Sequence, residues 1–296
     1  MSLDILFIHP NASKKIYQGL SSEHSAIEPP IWAGMLANHC RNKNYNVEIL
    51  DCEVERLDYI VSAKKINEIK PRIACFVVYG QQPSASSQNM EGAIATSEEL
   101  KLLDPEIKIL FVGGHVSALP IETLTIEKSI DFIALNEGVY SISNLLKVEN
   151  LNDENYLKNV KGIGFRNKDN QIVINHSEII VPKKLLDIDL PGVAWDLLPS
   201  LKKYRTAGWH SWSNNSEKEP FAALYTSLGC PYTCSFCMIN IINRTDSAEN
   251  ISSQDSNIFR WWNPEFIIKQ FDYFAEQGVK NIKIADELFV LNPNHF

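Results

Sequence analysis

Apolar residues in the first half of the chain fall into short β-branched runs that alternate with segments of helical periodicity. The runs predict buried strands at residues 3–9, 47–50, 72–79, 107–112 and 131–135. Helices are predicted between them: one opens after Pro29 and Pro30, one ends before Pro71, one spans 87–103, and one begins near Gly138. The order of these elements is that of a parallel sheet whose strands are joined by crossover helices.

Five strands joined in this way predict an α/β fold with a flavodoxin-like doubly wound parallel sheet over residues 1–147. Residues 148–220 do not continue the alternation of strands and helices and are predicted to be a connector. Short apolar runs at 163–165 and 172–174 flank Asn167 to Asn170, which predicts a hairpin within this connector.

The last segment, residues 221–296, predicts a β-loop-α-β unit. A strand at 221–228 runs into Gly229, a helix is expected from Asn263 as N-cap to Gln277, and another strand covers 279–285. A single unit of this kind leaves its sheet edges unpaired and buries too little surface to stand alone. We therefore expect that the first domain covers it or that the sequence is incomplete, and we favour the second.

Composition places the chain among folded globular proteins. Of its 296 residues 45% are hydrophobic and 22% are charged, which argues against disordered, collagenous and coiled-coil classes. The formal net charge of −8 disfavours nonspecific binding to nucleic acid or to an anionic membrane, so we expect a small-molecule partner. No apolar run approaches a membrane span, and Asp4 lies where a signal peptide would carry basic charge, so we expect a cytoplasmic protein.

The most informative stretch contains half of the six cysteines. Cys230, Cys234 and Cys237 are spaced C-x-x-x-C-x-x-C, and random placement would give such a trio roughly 0.002 times in this chain. Gly229 and Pro231 favour a loop, which can direct three thiolates at one centre. Thiolates select iron–sulfur clusters or zinc, and three ligands would leave one iron of a four-iron cluster open. The alternative is a structural zinc site closed by a distant histidine such as His210.

With Phe236 before the last cysteine, this stretch resembles the radical S-adenosylmethionine (SAM) signature, and the resemblance covers about residues 221–296. It implies a truncated, N-terminal part of a radical SAM (β/α) barrel. It also implies that Cys230, Cys234 and Cys237 hold a [4Fe-4S] cluster whose open iron binds SAM, that Phe236 packs beside the adenine, and that SAM is cleaved to a deoxyadenosyl radical.

The same family often carries a Gly-Gly-Glu-like segment that contacts the SAM amino group at the end of the second barrel strand. The matching stretch here is Ala285-Asp286-Glu287, which lacks the two glycines. The resemblance implies that Asp286 and Glu287 contact SAM, and a solvated strand end is the alternative. Arg244, just past the cysteines, could pair with a carboxylate or lie on the surface.

In a doubly wound sheet, ligands bind at the carboxyl ends of the strands, and here those ends carry polar, glycine-containing loops. No G-x-G-x-x-G or Walker sequence follows the first strand, which argues against a dinucleotide or a nucleoside triphosphate. The succession FIHP, VYG, FVGGHVSALP and ALNEG, upstream of a radical SAM segment, instead resembles the cobalamin-binding domain of B12-dependent radical SAM enzymes.

This second resemblance implies that the cobalamin tail lies along the sheet near Ser84, Gly113, Gly114, His115 and Gly138. The D-x-H-x-x-G motif of the methionine synthase type is absent, which implies a cobalt without a lower imidazole ligand from that loop. His9 and His115 remain alternative ligands, although each fits a hydrogen-bonded structural role.

Together the two resemblances imply a cobalamin-dependent radical SAM enzyme, or its N-terminal part. They imply cobalamin, SAM and a [4Fe-4S] cluster as cofactors, an electron donor such as flavodoxin or ferredoxin, and methyl transfer to an unactivated substrate atom. Other radical rearrangements stay open. The alternative from another class is a non-catalytic cobalamin-binding module with an incomplete barrel.

Overall fold

A seven-stranded sheet, parallel except for its last two strands, organises most of the chain in the computed structural model. The structure describes residues 3–13, 16, 25–80, 85–206, 220–232, 234, 237, 239–243, 259–293 and 295. The strand order is β2-β1-β3-β4-β5-β6-β7, which contains the doubly wound arrangement predicted from the sequence. The α/β prediction is confirmed.

The strands follow the predicted apolar runs closely. Within the described residues they are β1 (Ile5–His9), β2 (Val47–Asp51), β3 (Ile73–Val77), β4 (Lys108–Val112), β5 (Phe132–Ala134), β6 (Ile163–Arg166), β7 (Ile172–Ile174), β8 (Phe221–Leu224), β9 (Ser227–Leu228), β10 (Arg260–Trp261) and β11 (Asn281–Ile284).

The helices of the described residues lie between these strands. They are α1 (Ile31–Asn42), α2 (Tyr59–Ile69), α3 (Ala85–Leu103), α4 (Gly114–Ala118), α5 (Pro120–Ile126), α6 (Val139–Leu146), α7 (Glu154–Leu157), α8 (Leu186–Asp189), α9 (Ile239–Ile242) and α10 (Pro264–Glu276). The residues after β4 form α4 and α5, where the sequence had suggested only a polar loop. No helix in the described ranges has the length and apolar character needed to cross a membrane.

The central strands are buried on both faces, which explains their continuous apolar runs. Alternate residues of β1 enter different cores: Ile5 and Phe7 join one cluster, whereas Leu6 and Ile8 join the other. The first cluster continues through Phe221 into the C-terminal unit. The sheet and the C-terminal unit therefore share one hydrophobic core. This agrees with the expectation that the first domain covers the C-terminal unit.

The hairpin predicted inside the connector forms, and it pairs with the sheet. β6 lies antiparallel to β5, and β7 lies antiparallel to β6. The rest of the connector reaches both parts of the chain: the amide of Ala194 donates to the carbonyl of Gly34 in α1, and the indole of Trp262 donates to the carbonyl of Leu190. The boundaries at residues 147 and 220 stay a prediction.

The C-terminal unit is the predicted β-loop-α-β. β8 and β11 pair in parallel, with Phe221 opposite Asn281, and α10 begins at Pro264. The single strand expected at 221–228 is interrupted: β9 separates from β8 and pairs antiparallel with β10. This interruption places Thr226 and Ser227 beside the end of β11, where they bind Asp286.

A buried polar triad joins the ends of β1 and β2 to the connector. Asp51 accepts a hydrogen bond from the hydroxyl of Tyr204 at 2.9 Å, and its other oxygen lies 3.0 Å from Nδ1 of His9. Burial alone would lower the pKa of His9, but the charge and the hydrogen bond of Asp51 raise it above its usual value. His9 thus has a structural partner, as the alternative reading of the sequence allowed.

We predict that Tyr204→Phe lowers the free energy of unfolding by about 1–3 kcal/mol, because it removes the donor to a carboxylate oxygen that stays buried. Urea denaturation followed by circular dichroism measures the change. Tyr156→Phe is the matched control, since Tyr156 is 64% exposed and should shift stability by less than about 0.5 kcal/mol. Equal midpoints for Tyr204→Phe and the unmodified protein would contradict this role for the triad.

Candidate cofactor site

The carboxyl ends of β3, β4 and β5 meet along one edge of the sheet, and two of the predicted cobalamin contacts are glycines that this edge requires. A Cβ on Gly113 would lie 2.6 Å from the carbonyl oxygen of Val78. Gly138 has a φ of +73°, and a Cβ there would lie 2.5 Å from Cγ2 of Val112. Both positions therefore exclude larger residues for reasons of packing, whatever ligand the edge receives.

His115 lies at the start of α4, and α3 holds it in place. Its backbone N–H donates to the hydroxyl of Ser86 at 2.9 Å, and its Nδ1 lies 2.9 Å from the hydroxyl of Ser87. Burial lowers the pKa of His115, so the ring is neutral at pH 7. The predicted contact Ser84 lies outside the described residues, and the predictions for Gly113, Gly114, His115 and Gly138 stay predictions.

A narrow crevice lies between this edge and the C-terminal unit, with room for about one water molecule. Its lining combines residues from the sheet and α1 with residues from the C-terminal unit: Trp32, Tyr79, Gly80, Ser86, Gly114, Tyr225, Ile242 and Glu287. The rings of Trp32 and Tyr79 stack with centroids 4.5 Å apart, and the ring of Tyr225 lies 6.2 Å from Trp32. Buried aromatic side chains thus form walls of the space between the two predicted cofactor regions.

Glu287 is the charged residue in this lining. Its Oε2 atom is buried and has no hydrogen-bond partner, and its carboxylate is also reached by the amide of Gly229. Burial, with a contribution from the charge of Asp286, raises the pKa of Glu287 to about 7. A buried carboxylate oxygen without a partner is costly, so a donor supplied by a ligand would lower the free energy of this site.

Asp286 has a different environment, although it is adjacent in sequence. One carboxylate oxygen accepts from the amide of Thr226 at 2.6 Å, and the other accepts from the hydroxyls of Thr226 and Ser227 at 2.5 and 2.6 Å. These bonds fix the turn between β8 and β9, which leads into the cysteines. Of the two predicted SAM contacts, Glu287 has a free acceptor, whereas Asp286 is committed to the turn.

The three cysteines lie in the loop that follows β9, and none forms a disulfide. Cys230 and Cys237 are half-buried against the main core, whereas Cys234 is exposed. The amide of Cys237 donates to the carbonyl of Cys234 at 3.1 Å. Burial is the main cause that raises the pKa of Cys230, and the neighbouring thiols of Cys237 and Cys234 raise it further. Phe236, Arg244 and His210 lie outside the described residues.

The donor set fits an iron–sulfur cluster, because three unpaired thiols from one loop are the protein ligands that such a cluster with one open iron needs. Across the described ranges, no three His, Cys, Asp or Glu side chains are grouped to hold a single metal ion. Cys40, Cys52 and Cys75 are fully buried in the sheet domain, where burial raises the pKa of each thiol.

Sequence reasoning missed the residues that connect the two regions. Trp32 carried only the signal of an apolar helix stripe, and Tyr79 only that of a strand end. Glu137 and Arg260 form a buried ion pair between the turn after β5 and the start of β10, yet they are 123 residues apart. Proximity in the folded chain was the missing information.

Known proteins are similar to this chain both over the sheet domain and over most of its length. The B12 binding domain family matches residues 20–146. The chain is 26% identical over 265 residues to a Pyrococcus horikoshii protein named as an uncharacterized methyltransferase, which covers 89% of this chain and 50% of that protein. It is also 26% identical over 239 residues to the anaerobic magnesium-protoporphyrin IX monomethyl ester cyclase of Rubrivivax gelatinosus, covering 79% of this chain and 38% of that protein.

Solved structures share the whole fold. The cobalamin-dependent SAM radical enzyme OxsB, with aqua-cobalamin and SAM bound, covers 99% of this chain at a TM-score of 0.66 and 19% identity. The radical SAM methyltransferase TsrM from Kitasatospora setae, with tryptophan and a SAM analogue bound, covers 99% at a TM-score of 0.61 and 14% identity. This chain spans 35% of the OxsB chain and 49% of the TsrM chain.

At these identities the structural likeness establishes the fold, and residues 20–146 match the B12 binding domain family. The resemblance to cobalamin-dependent radical SAM enzymes is confirmed as a likeness in fold and in this domain. The chain spans half or less of the length of each of these relatives, so their activities remain those of the longer proteins.

We predict that replacing the two adjacent carboxylates affects stability differently. Asp286→Asn should lower the free energy of unfolding by about 1–3 kcal/mol, because an amide nitrogen cannot accept the hydrogen bonds of the turn. Glu287→Gln is the matched control and should leave stability unchanged or raise it at pH 8, because it removes a buried charge that lacks a full set of donors. Thermal unfolding of both variants measures this difference. A larger loss in Glu287→Gln than in Asp286→Asn would contradict the assignment.

Proposed function

We propose that this chain is the cofactor-binding part of a cobalamin-dependent radical SAM enzyme. The corrinoid would bind at the carboxyl edge of the parallel sheet, and a [4Fe-4S] cluster would bind at the cysteine loop. The observation that carries this proposal is the shared crevice, whose lining comes from the B12-binding domain on one side and from the segment beside the cysteines on the other.

On the corrinoid side, Gly80 and Gly114 line the crevice without side chains, so that a flat ligand could approach the backbone there. Gly113 and Gly138, which pack against Val78 and Val112, would lie near the ligand tail. His115, neutral and held through Ser86 and Ser87, would offer a polar contact to the ligand tail. The D-x-H-x-x-G motif is absent, so the cobalt would have no lower imidazole ligand from the loop after β1, and His9 is buried beside Asp51 at 3.0 Å.

On the SAM side, Cys230, Cys234 and Cys237 would hold the cluster, and Phe236 would pack beside the adenine. The unpartnered oxygen of Glu287 would accept from the SAM ammonium, which would remove the cost of its isolation. Asp286 would act indirectly, since it fixes the turn from which the cysteine loop departs.

When bound, the cluster would supply the electron that cleaves SAM, and the cobalamin would supply a methyl group. The substrate would be a small molecule bound between the two cofactor regions, methylated at an unactivated atom, and the name of the Pyrococcus relative supports this reaction type. Trp32, Tyr79 and Tyr225 would exclude water from the reacting centre. The electron would come from a donor such as flavodoxin or ferredoxin, in the cytoplasm.

We predict that anaerobic reconstitution with iron and sulfide gives the absorbance of a four-iron cluster, and that Cys234→Ala abolishes it. The reason is that Cys234 would be one of only three protein ligands. Cys52→Ala is the matched control, since this thiol is buried in the sheet domain and should leave the absorbance intact. Colourless protein that carries zinc in place of iron, or full absorbance in Cys234→Ala, would refute the proposal.

A further inference from the structure

Arg260 is fully buried at the start of β10, and its guanidinium connects three separate parts of the chain. Nη1 donates to the carbonyl of Val181 at 2.6 Å. Nη2 donates to the carboxylate of Glu137 and to Oδ1 of Asn243 at 2.8 Å. Few arginines are this completely removed from water, so the contacts must compensate a large desolvation cost.

Each partner comes from a region that the proposed function uses. Glu137 belongs to the turn between β5 and Gly138, on the corrinoid edge of the sheet. Asn243 directly follows α9, which is separated from Cys237 by a single residue. Val181 belongs to the connector, and its amide donates to the second oxygen of Glu137 at 2.9 Å.

The geometry leaves the pair little freedom. Glu137 is 2% exposed and Asn243 is 3% exposed, so any displacement of one partner would leave a polar or charged group without compensation. The planar guanidinium donates in several directions at once, which a lysine ammonium at the same position could not reproduce. The Nε–H of Arg260 is buried without a partner, so the side chain is held through its two terminal nitrogens.

We propose that Arg260 is a positioning residue that holds the cysteine loop at a fixed place against the corrinoid edge of the sheet. Release of this contact frees α9 and exposes Cys230 and Cys237, which pack against the core. A second consequence, which rests on the proposed function, is that corrinoid binding and cluster binding are energetically coupled through Arg260.

The first test needs no cofactor. Cofactor-free protein is pulsed with N-ethylmaleimide, and mass spectrometry measures the modification rate of each cysteine. In Arg260→Lys, and in the double variant Arg260→Met with Glu137→Gln, Cys230 and Cys237 should react about tenfold faster, whereas the exposed Cys234 should change less than about twofold. The double variant removes both buried charges, so it stays folded if the single variant does not.

Two controls separate positioning from general loss of stability. Cys40, Cys52 and Cys75 report opening of the sheet domain within the same molecule, and their rates should stay unchanged. Glu28→Gln with Lys283→Met removes another ion pair between the two parts of the chain, with both oxygens of Glu28 3.0 Å from Nζ of Lys283. That pair does not touch Asn243, so its loss should leave Cys230 and Cys237 protected.

Unchanged rates at Cys230 and Cys237, or equal acceleration of all six cysteines, would overturn the positioning role.

The second test compares the Kd for hydroxocobalamin in cluster-free and cluster-loaded protein. The two values should differ at least about fivefold in the unmodified protein and less than about twofold in the double variant. An equal ratio in both proteins would overturn the coupling. If the unmodified protein bound neither corrinoid nor cluster, the proposed function and the coupling would fail together, while the thiol rates would still decide the positioning role.

Discussion

The buried ion pair between Arg260 and Glu137 constrains how the two parts of this molecule meet. Removing one partner of such a pair costs about 3–5 kcal/mol, because the other charge is left in a medium that cannot solvate it. Neither side chain can reach water, since their exposed fractions are 0% and 2%. The end of β5 and the start of β10 are therefore held at one separation, which limits how far the sheet and the C-terminal unit can move apart.

The two parts that the ion pair connects also line the crevice together. The sheet contributes bare strand ends and stacked aromatic rings, and the C-terminal unit contributes Glu287 beside the loop of three thiols. A corrinoid and a cluster-bound SAM placed on opposite walls would face the same small volume. Fixing the walls would reduce the entropy cost of aligning the reactants, and the aromatic lining would keep water away.

The sequence predicted the features that depend on local spacing. The sheet was predictable because each strand is a short apolar run, and the cysteine loop was predictable because its three thiols lie within eight residues. The different roles of Asp286 and Glu287 were not predictable, since they depend on Thr226 and Ser227 some 60 residues away. Arg260 gave no signal either, because its partner Glu137 becomes a neighbour only after folding.

The central claim, that one chain carries a corrinoid site and a cluster site across a shared crevice, is tested most directly by metal analysis. Protein reconstituted anaerobically with iron, sulfide and hydroxocobalamin is passed through gel filtration, and its cobalt and iron are measured. We predict about one cobalt and about four iron atoms per chain in the protein peak. Iron without cobalt, cobalt without iron, or zinc in place of iron would contradict the account.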